Sequence, residues 1–359
     1  MISIEGESGS KSVPLFDIEL LLKSVCPAIQ SRIRREILRQ SRAETEVLEL
    51  QGKILEDTLV KSLMKEQQAD GWLGKAFHGY DSMESALRVL CEKDLDPAHP
   101  AFASALAALK HASRRLSSGI GKVGEILDQT GFGGSQLIRA ALLAQAGHDA
   151  DPLVQEQIPK ALSVFSALLD YESINQVTER RRGKLVFRSQ VKWPSIYHFR
   201  LLAYSHKWRD PEKVQMLAKA IWKMTEWSPI PDIYINWNGQ FIAPASFGLH
   251  DLTPDLAVLD DAGWMIWFQR MELFSRLGVV LQVPALYDQI AKLREILAEG
   301  QGWFTKPLSH GYFRKWGAYT GLMLEQDWRR EERRRMDLTF RSLLILHYSG
   351  CVGNILLES

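Results

Sequence analysis

Apolar residues recur at helical spacing along most of the chain. Between residues 16 and 64 they follow one another at intervals of three and four positions, and charged side chains fill the positions between them. This spacing predicts a run of amphipathic helices. From residue 80 onwards the spacing returns in pairs of segments, each predicted to form a helical hairpin. The first segments of these pairs begin near Tyr80, Ser135, Ile196, Asp255 and Trp316.

The two segments of each pair differ in polarity. The first is nearly free of charge, whereas the second carries Lys, Glu and Gln, at residues 101–116, 154–169, 211–224 and 284–297. A charge-poor helix suits burial on all sides, and an amphipathic helix suits a position with one exposed face. The pattern therefore predicts inner helices that alternate with outer helices, with no β-sheet beyond stray hairpins.

Short turn motifs repeat between these segments. Gln67-Gln68-Ala69-Asp70-Gly71-Trp72 is followed further along by Gly131-Phe132-Gly133-Gly134 and by Gly302-Trp303-Phe304, and Asp-Pro pairs stand at 96–97, 151–152 and 210–211. Proline is accepted in the first turn of a helix and cannot continue the helix before it. Recurrence of one motif over tens of residues predicts stacked copies of a single supersecondary unit.

Composition and charge exclude several classes of protein. Hydrophobic residues make up 46% of the 359 positions and the net charge is +1, so nothing indicates a nucleic-acid partner. The three cysteines form no CxxC pair, which argues against a disulfide framework. No segment reads as a secretory signal or a transmembrane span. We expect a cytoplasmic protein; peripheral contact with a membrane surface and the oligomeric state stay open.

The repeats resemble those of the squalene and terpenoid cyclases and the protein prenyltransferase β subunits. The resemblance lies in Gln-x-x-Asp-Gly-Trp, an apolar helix, Gly-His-Asp-x-x-Pro and an amphipathic helix, over roughly residues 60–350. It implies an all-α fold, an α/α toroid in which five to six helical hairpins form a closed ring around a central cavity. We expect a flexible N-terminal lead-in at residues 1–14 and a single toroid domain at 15–359. In that family the Gln and Trp of the motif tie consecutive helices together, so Trp72 is expected to be structural.

The catalytic motifs of these families are incomplete here. Class II cyclases protonate their substrate with Asp-x-Asp-Asp, and the nearest stretch, Val258-Leu259-Asp260-Asp261, has a valine in place of the first aspartate. The prenyltransferases hold zinc with Asp, Cys and His, and no such set stands in a repeat context. We therefore predict no metal site and no particular cofactor.

Candidate site residues are polar and aromatic side chains near the starts of the inner helices, since in a toroid these positions reach the cavity. The candidates for catalysis are Asp260, Asp261, His198 and Asp251. The candidates for ligand binding are Trp193, Tyr197, Arg200, Trp237, His250, Trp264, His310, Tyr312, Trp316 and Tyr319. For any single aromatic or histidine, a place in the core or at a helix cap is the simpler explanation. The candidates are nevertheless concentrated in the second half of the chain, which favours a binding site there. We expect His198, Asp251 and Asp260 or Asp261 to share one central pocket.

The sequence also gives predictions for three further segments. The Pro-rich, aromatic segment 228–254 interrupts the repeats and is predicted to form a lid or a wall of a pocket. The basic run 179–184 reads as a solvated loop, with a site for an anionic group as the alternative. Glu325 and Asp327 are predicted to lie on an exposed outer face.

Three functions remain open on the sequence. The leading one is a terpenoid cyclase or prenyltransferase-like protein, enzyme or former enzyme, that binds a small hydrophobic, isoprenoid-type ligand in a central aromatic-lined cavity. The second is a carbohydrate-processing toroid, similar to glycoside hydrolases or polysaccharide lyases. The third is a non-catalytic binding or scaffolding toroid. A dry aromatic cavity favours the first and a wet polar groove favours the second.

Overall fold

The computed structural model describes residues 16–111, 115–242 and 248–351. Most of these residues lie in α-helices and the strands are short, so a mostly helical fold is confirmed. The predicted lead-in at residues 1–14 lies outside the described residues, as do residues 243–247 of the predicted lid segment.

Short helices follow one another in the N-terminal part of the chain. They are α1 (Ile18–Ser24), α2 (Pro27–Arg32), which continues as a π-helical turn (Ile33–Ile37), α3 (Thr45–Leu55) and α4 (Thr58–Lys65). Asp17 and Asp57 start α1 and α4, because their side chains accept hydrogen bonds from N–H groups of the first turn. The run of helices predicted at residues 16–64 is confirmed.

The rest of the described chain forms helices and two β-hairpins. The helices are α5 (Met83–Glu92), α6 (Pro100–His111), α7 (Lys122–Thr130), α8 (Ser135–Gln145), α9 (Pro152–Leu169), α10 (Ile174–Val177), α11 (Ile196–Tyr204), α12 (Pro211–Glu226), α13 (Asp261–Leu277), a short 3-10 turn (Val280–Gln282), α14 (Pro284–Glu299), α15 (Gly311–Arg314) and α16 (Glu331–Ser349). The strands are β1 (Thr178–Arg181), β2 (Lys184–Phe187), β3 (Ile235–Trp237) and β4 (Gln240–Ile242).

The charge-poor helices pack against one another and against α16, whose first turns are charged. Helix α11 packs against α8 and α13, α13 packs against α16, and α8 also contacts α5. Helices α8 and α11 are buried along nearly their whole length, whereas α9, α12 and α14 each keep an exposed face. This division agrees with the one predicted from the distribution of charge.

Both β-hairpins turn on two residues in the left-handed region. Strands β1 and β2 are joined by Arg182 and Gly183, and β3 and β4 by Asn238 and Gly239. Such two-residue turns match the twist of paired strands, and glycine adopts their positive φ without strain. The basic run 179–184, predicted to be a solvated loop, is exposed at residues 180–184 but forms two paired strands and a tight turn. The hairpins also join, since Phe187 N donates to Tyr234 O at 2.9 Å.

Two predicted helix starts are wrong. The segment after Trp316 is not helical, and the final long helix begins only at Glu331. Gly321 turns the chain at a φ of 94°, where its missing side chain leaves room for the Trp316 ring, and its N–H donates to Tyr312 O rather than to a preceding turn of helix. Helix α13 begins at Asp261 and not at Asp255, because the side chain of Asp255 closes a local turn with Ala257 N at 2.9 Å.

Glu325 is buried, which corrects the prediction that it lies on an exposed outer face. Its side chain accepts a hydrogen bond from Cys26 N at 2.7 Å and lies 3.5 Å from the Arg333 guanidinium. Only 2% of the residue is exposed. Burial, together with the nearby charge of Asp337, raises the pKa of Glu325 to about 7.

The Glu325→Gln variant is expected to gain stability over the parent protein as the pH rises. A carboxyl whose pKa is raised in the folded state stabilises the fold while it is protonated, and that contribution is lost between pH 4.5, its ordinary pKa, and about 7. A glutamine stays neutral and can still accept from Cys26 N. Between pH 4.5 and pH 8, we expect the difference in free energy of unfolding to shift on the order of 3 kcal/mol in favour of the variant.

Urea unfolding of both proteins at the two pH values measures this shift. The exposed Glu299→Gln on α14 is the control and should show the same stability relative to the parent at both. A difference between Glu325→Gln and the parent that does not change with pH would contradict a raised pKa.

Candidate functional site

Three of the predicted ligand-binding residues meet around a buried carboxylate, Glu84. The hydroxyl of Tyr197 donates to Glu84 Oε1 at 2.8 Å, and Arg200 Nη1 lies 3.4 Å from the same oxygen. His78 Nδ1 lies 2.6 Å from Glu84 Oε2, and the ring of Tyr319 packs against both His78 and Tyr197. We call these five residues the Glu84 cluster.

The Glu84 cluster holds its carboxylate ionised. Burial opposes ionisation, but the hydrogen bond and charge of His78 outweigh it, together with Arg200 and Tyr197, and the pKa of Glu84 is lowered. An ionised carboxylate only accepts hydrogen bonds, so His78 Nδ1 is the donor. Burial raises the pKa of Tyr319 to about 12, and burial together with the charge of Glu84 raises the pKa of Tyr197 well above its ordinary value. Both phenols are therefore neutral donors at pH 7.

A second buried group of charges fills the space beyond the Glu84 cluster. Arg341 Nη1 lies 2.7 Å from Glu92 and 3.0 Å from Glu272, and Arg32 Nη1 also lies 2.7 Å from Glu92. Arg276 bridges Glu272 and Glu36 at 2.8 and 2.5 Å. We call this set the Arg–Glu network; its members are Arg32, Glu36, Glu92, Glu272, Arg276 and Arg341. Three positive and three negative charges balance there.

Little space is left between the Glu84 cluster and the Arg–Glu network. The cavity that separates them measures about 20 Å³, and its lining includes Arg88, Glu92, Arg200 and Glu272. Roughly one water molecule needs 10–15 Å³ of such volume. This space is too small and too polar for a hydrocarbon ligand.

Larger cavities lie in front of the N-terminus of α8. An inner cavity of about 460 Å³ and an outer cavity of about 540 Å³ share Asp128, Gly131 and Lys192 in their linings. The two cavities therefore adjoin, and we call them together the α8 groove. Asp128, a residue of α7, also caps the start of α8, since its carboxylate accepts hydrogen bonds from Gly134 N at 2.7 Å and from Gln136 N at 3.1 Å.

His198, a predicted catalytic residue, lines the inner cavity. Its Nδ1 accepts a hydrogen bond from Ser195 N at 2.9 Å, and burial lowers its pKa to about 3. The imidazole is therefore neutral at pH 7, with its proton on Nε2. Nε2 has no hydrogen-bond partner within the described part of the chain. It is an available donor in the inner cavity.

Gln157 supplies a second unused polar group. It is a buried residue of α9 that lines the inner cavity, and its amide makes no hydrogen bond to any described residue. Because the amide atoms are accessible from the cavity, they can pair with a polar group bound there. Gln136, Lys160, Ser163 and Lys192 add further donors and acceptors around it. The inner cavity can bind a ligand with several hydroxyl or carbonyl groups.

Gly133 keeps the inner cavity open beside His198. Its φ is 81°, and a Cβ at this position would lie 2.9 Å from His198 Cε1 and would also collide with Leu137. Any other residue would strain the backbone and push against the imidazole.

Aromatic rings line the outer cavity. Phe132 and Phe187 lie with their ring centroids 4.8 Å apart, and Trp237 on β3 belongs to the same lining. Asn236, Arg188 and Glu179 supply polar groups. The hairpin of β3 and β4 is therefore one wall of this cavity, which places part of segment 228–254 where a wall was predicted.

The other candidates for catalysis do not converge with His198. Asp251 accepts from Ser228 Oγ and Thr253 N within its own loop. Asp260 starts α13 by accepting from Gly263 N at 2.7 Å, and Asp261 accepts from Ser309 N at 2.7 Å. Each carboxylate thus caps a separate piece of backbone, and the expected common pocket is not formed.

The remaining candidates for ligand binding are scattered. Trp193 stacks on Trp227, and Trp264 packs in the core against Phe268 and Phe304. His250 Nε2 lies 3.7 Å from the exposed Asp232 carboxylate. His310 starts α15, with its ring 4.3 Å from that of Tyr312. Trp316 lines a separate cavity beside α5.

The described residues contain no group of three or more side chains able to hold a metal ion. Within the same part of the chain, no helix combines the length and apolarity needed to cross a membrane. Comparison with known protein families, with curated proteins and with solved structures finds no match to this chain.

Proposed function

We propose that the protein is an α/α toroid that binds an oligosaccharide in the α8 groove. The successive packing of α5, α8, α11, α13 and α16, with the amphipathic α9, α12 and α14 beside them, supports the ring of helical hairpins implied by the resemblance to the cyclases and prenyltransferases. The groove lies at the start of α8, an inner helix of that ring.

The polar character of the α8 groove carries the saccharide proposal. Sugars offer many hydroxyl groups and an apolar ring face, and they are bound by convergent amides and charged groups beside aromatic rings. His198 Nε2 and the Gln157 amide belong to side chains that line the inner cavity and have no hydrogen-bond partner among the described residues, and Trp237 supplies a ring in the outer cavity. Two adjoining cavities suit a chain of several sugar units.

The carbohydrate function is favoured over an isoprenoid in a central cavity by the space available. The space beside α5, α11 and α13 measures about 20 Å³, and the cavity that adjoins it at Glu92 and Tyr204 measures about 230 Å³. Charged side chains line both, whereas small-molecule pockets measure about 300–1,000 Å³ and are mostly apolar. Either cavity of the groove falls in that range.

Binding of hexasaccharides to two groove variants tests the proposal. Titration calorimetry with maltohexaose, cellohexaose, chitohexaose and oligogalacturonate should identify a ligand of the parent protein. Trp237→Ala should then weaken its binding about tenfold or more, since one aromatic contact is worth roughly 1.5 kcal/mol. Gln157→Leu should weaken binding roughly three- to tenfold while the free energy of unfolding stays unchanged or rises, because this amide has no partner among the described residues.

Trp222→Ala is the matched control, because Trp222 is exposed on α12 and lines neither cavity. Its affinity should equal that of the parent protein. If both groove variants bind as tightly as Trp222→Ala, the α8 groove is not the binding site. Release of new reducing ends or unsaturated products during incubation would distinguish an enzyme from a binding protein.

A further inference from the structure

A second large cavity lies between α4, α5 and the segment 314–326. It measures about 600 Å³, and none of its lining residues belongs to the α8 groove. Its walls are mainly apolar, formed by Leu59, Leu63, Ala86, Val89, Trp316 and Met323. This composition differs from that of the α8 groove, where polar and apolar surface are about equal. A sugar would leave most of its hydroxyl groups unpaired against such walls.

The charges at this cavity leave one cation without a partner. Lys93 is buried and pairs with Asp57 at 2.8 Å, and Asp81 pairs with Lys75 at 2.9 Å. Arg314, at the end of α15, is exposed and contacts no carboxylate among the described residues. The charge still available to a ligand is therefore positive, and a guanidinium binds carboxylates and phosphates through two parallel hydrogen bonds.

We propose that this cavity binds an amphipathic anion, a molecule with a hydrocarbon chain and a carboxylate or phosphate head group. The chain lies along Leu59, Leu63, Val89 and Met323, and the head group pairs with Arg314. The apolar walls select the hydrocarbon chain, and the unpaired guanidinium selects a head group of negative charge.

Binding of a series of short-chain amphiphiles below their micelle concentrations tests this site. Titration calorimetry with octanoate, decanoate and laurate should show affinity that rises by up to about fourfold for each added methylene group that becomes buried. Dodecyl phosphate and laurate separate the two possible head groups. Dodecylammonium carries the same chain with the opposite charge, and it should bind at least tenfold more weakly than laurate.

Variants locate the site. Leu63→Gln, at a half-buried position, and Arg314→Gln should each weaken laurate binding about tenfold. Leu281→Gln and Arg294→Gln alter an exposed leucine and an exposed arginine elsewhere, and both should bind laurate like the parent protein. Melting curves of all four variants show whether they are folded.

The proposal is overturned if no anionic amphiphile binds, if affinity does not depend on chain length, or if dodecylammonium binds as tightly as laurate. It is also overturned if folded Leu63→Gln and Arg314→Gln bind laurate as the controls do. Neither result bears on oligosaccharide binding in the α8 groove, because the two sites share no residue.

Discussion

Replacement of Arg341 by methionine is expected to lower the free energy of unfolding by about 3–5 kcal/mol, because it removes one member of a buried ion-pair network. Arg341 is 1% exposed and lies within 3.0 Å of both Glu92 and Glu272. Its Nη2 also donates to Leu322 O at 2.8 Å. Without the guanidinium, two carboxylates that are almost fully buried share fewer positive charges.

The double variant Arg341→Met with Glu272→Gln tests whether charge imbalance is the cause. Removing one carboxylate together with the arginine restores the balance of the Arg–Glu network, so the double variant should be more stable than Arg341→Met alone. Arg329→Met, at an exposed position, should change stability by less than about 0.5 kcal/mol. Urea unfolding measures all three. A loss below 1 kcal/mol for Arg341→Met would show that the network contributes little.

Trp72→Ala is expected to destabilise the protein on the order of 3 kcal/mol, the cost of removing a large buried aromatic ring. Trp72 is 2% exposed, and the Arg115 guanidinium lies over its ring at 5.2 Å. Gln67, of the same motif, donates to both Gly71 O and Ala101 O. The motif thus ties the turn before α5 to the first turn of α6.

A structural role for Trp72 also predicts what the variant retains. Binding of oligosaccharide or laurate, measured well below the melting temperature, should survive in Trp72→Ala. Trp222→Ala, in which the lost ring is 44% exposed, should be destabilised much less. A folded Trp72→Ala protein with parental stability but no ligand binding would contradict the structural role.

Helices with strong local signals could be predicted from the sequence. The Asp-Pro pairs at 151–152 and 210–211 begin α9 and α12, where the aspartates accept hydrogen bonds from N–H groups of the first turn. Here the cap, the proline and the apolar period all indicate the same start. The charge-poor segments near Tyr80, Ser135 and Ile196 form buried helices. A helix that is buried on all sides has no position for a solvated side chain.

The predictions are wrong in segments where a single turn or a distant contact determines the structure. The Asn238-Gly239 pair is typical of a two-residue hairpin turn. The many prolines around this pair favour an irregular segment in a prediction from sequence. The segment after Trp316 has apolar residues at helical spacing, yet Gly321 bends it against a ring five residues away. Glu325 is buried against Cys26, the residue before α2, which lies 299 residues earlier in the chain. No local pattern reports such a contact.

The candidate site could be predicted only in part. The sequence predicts both Tyr197 and His198 as site residues, but adjacent residues of a helix point about 100° apart. Tyr197 therefore joins the Glu84 cluster, whereas His198 lines the α8 groove. The sequence carries a signal for Glu84, since a charge in the first turn of a predicted inner helix needs a buried partner. Gln157 lies on an amphipathic helix among other polar residues, and only the packing of α9 distinguishes it.

The Arg–Glu network also bears on the order in which the protein can fold. Glu92 is paired with Arg32, 60 residues before it, and with Arg341, 249 residues after it. Contacts between such distant positions are slow to form, because loop closure must precede any gain from the contact. During synthesis, Arg32 and Arg276 are available to pair with Glu92 and Glu272 before Arg341 is made. The Arg–Glu network therefore reaches equal numbers of positive and negative charges only when α16 packs against α13.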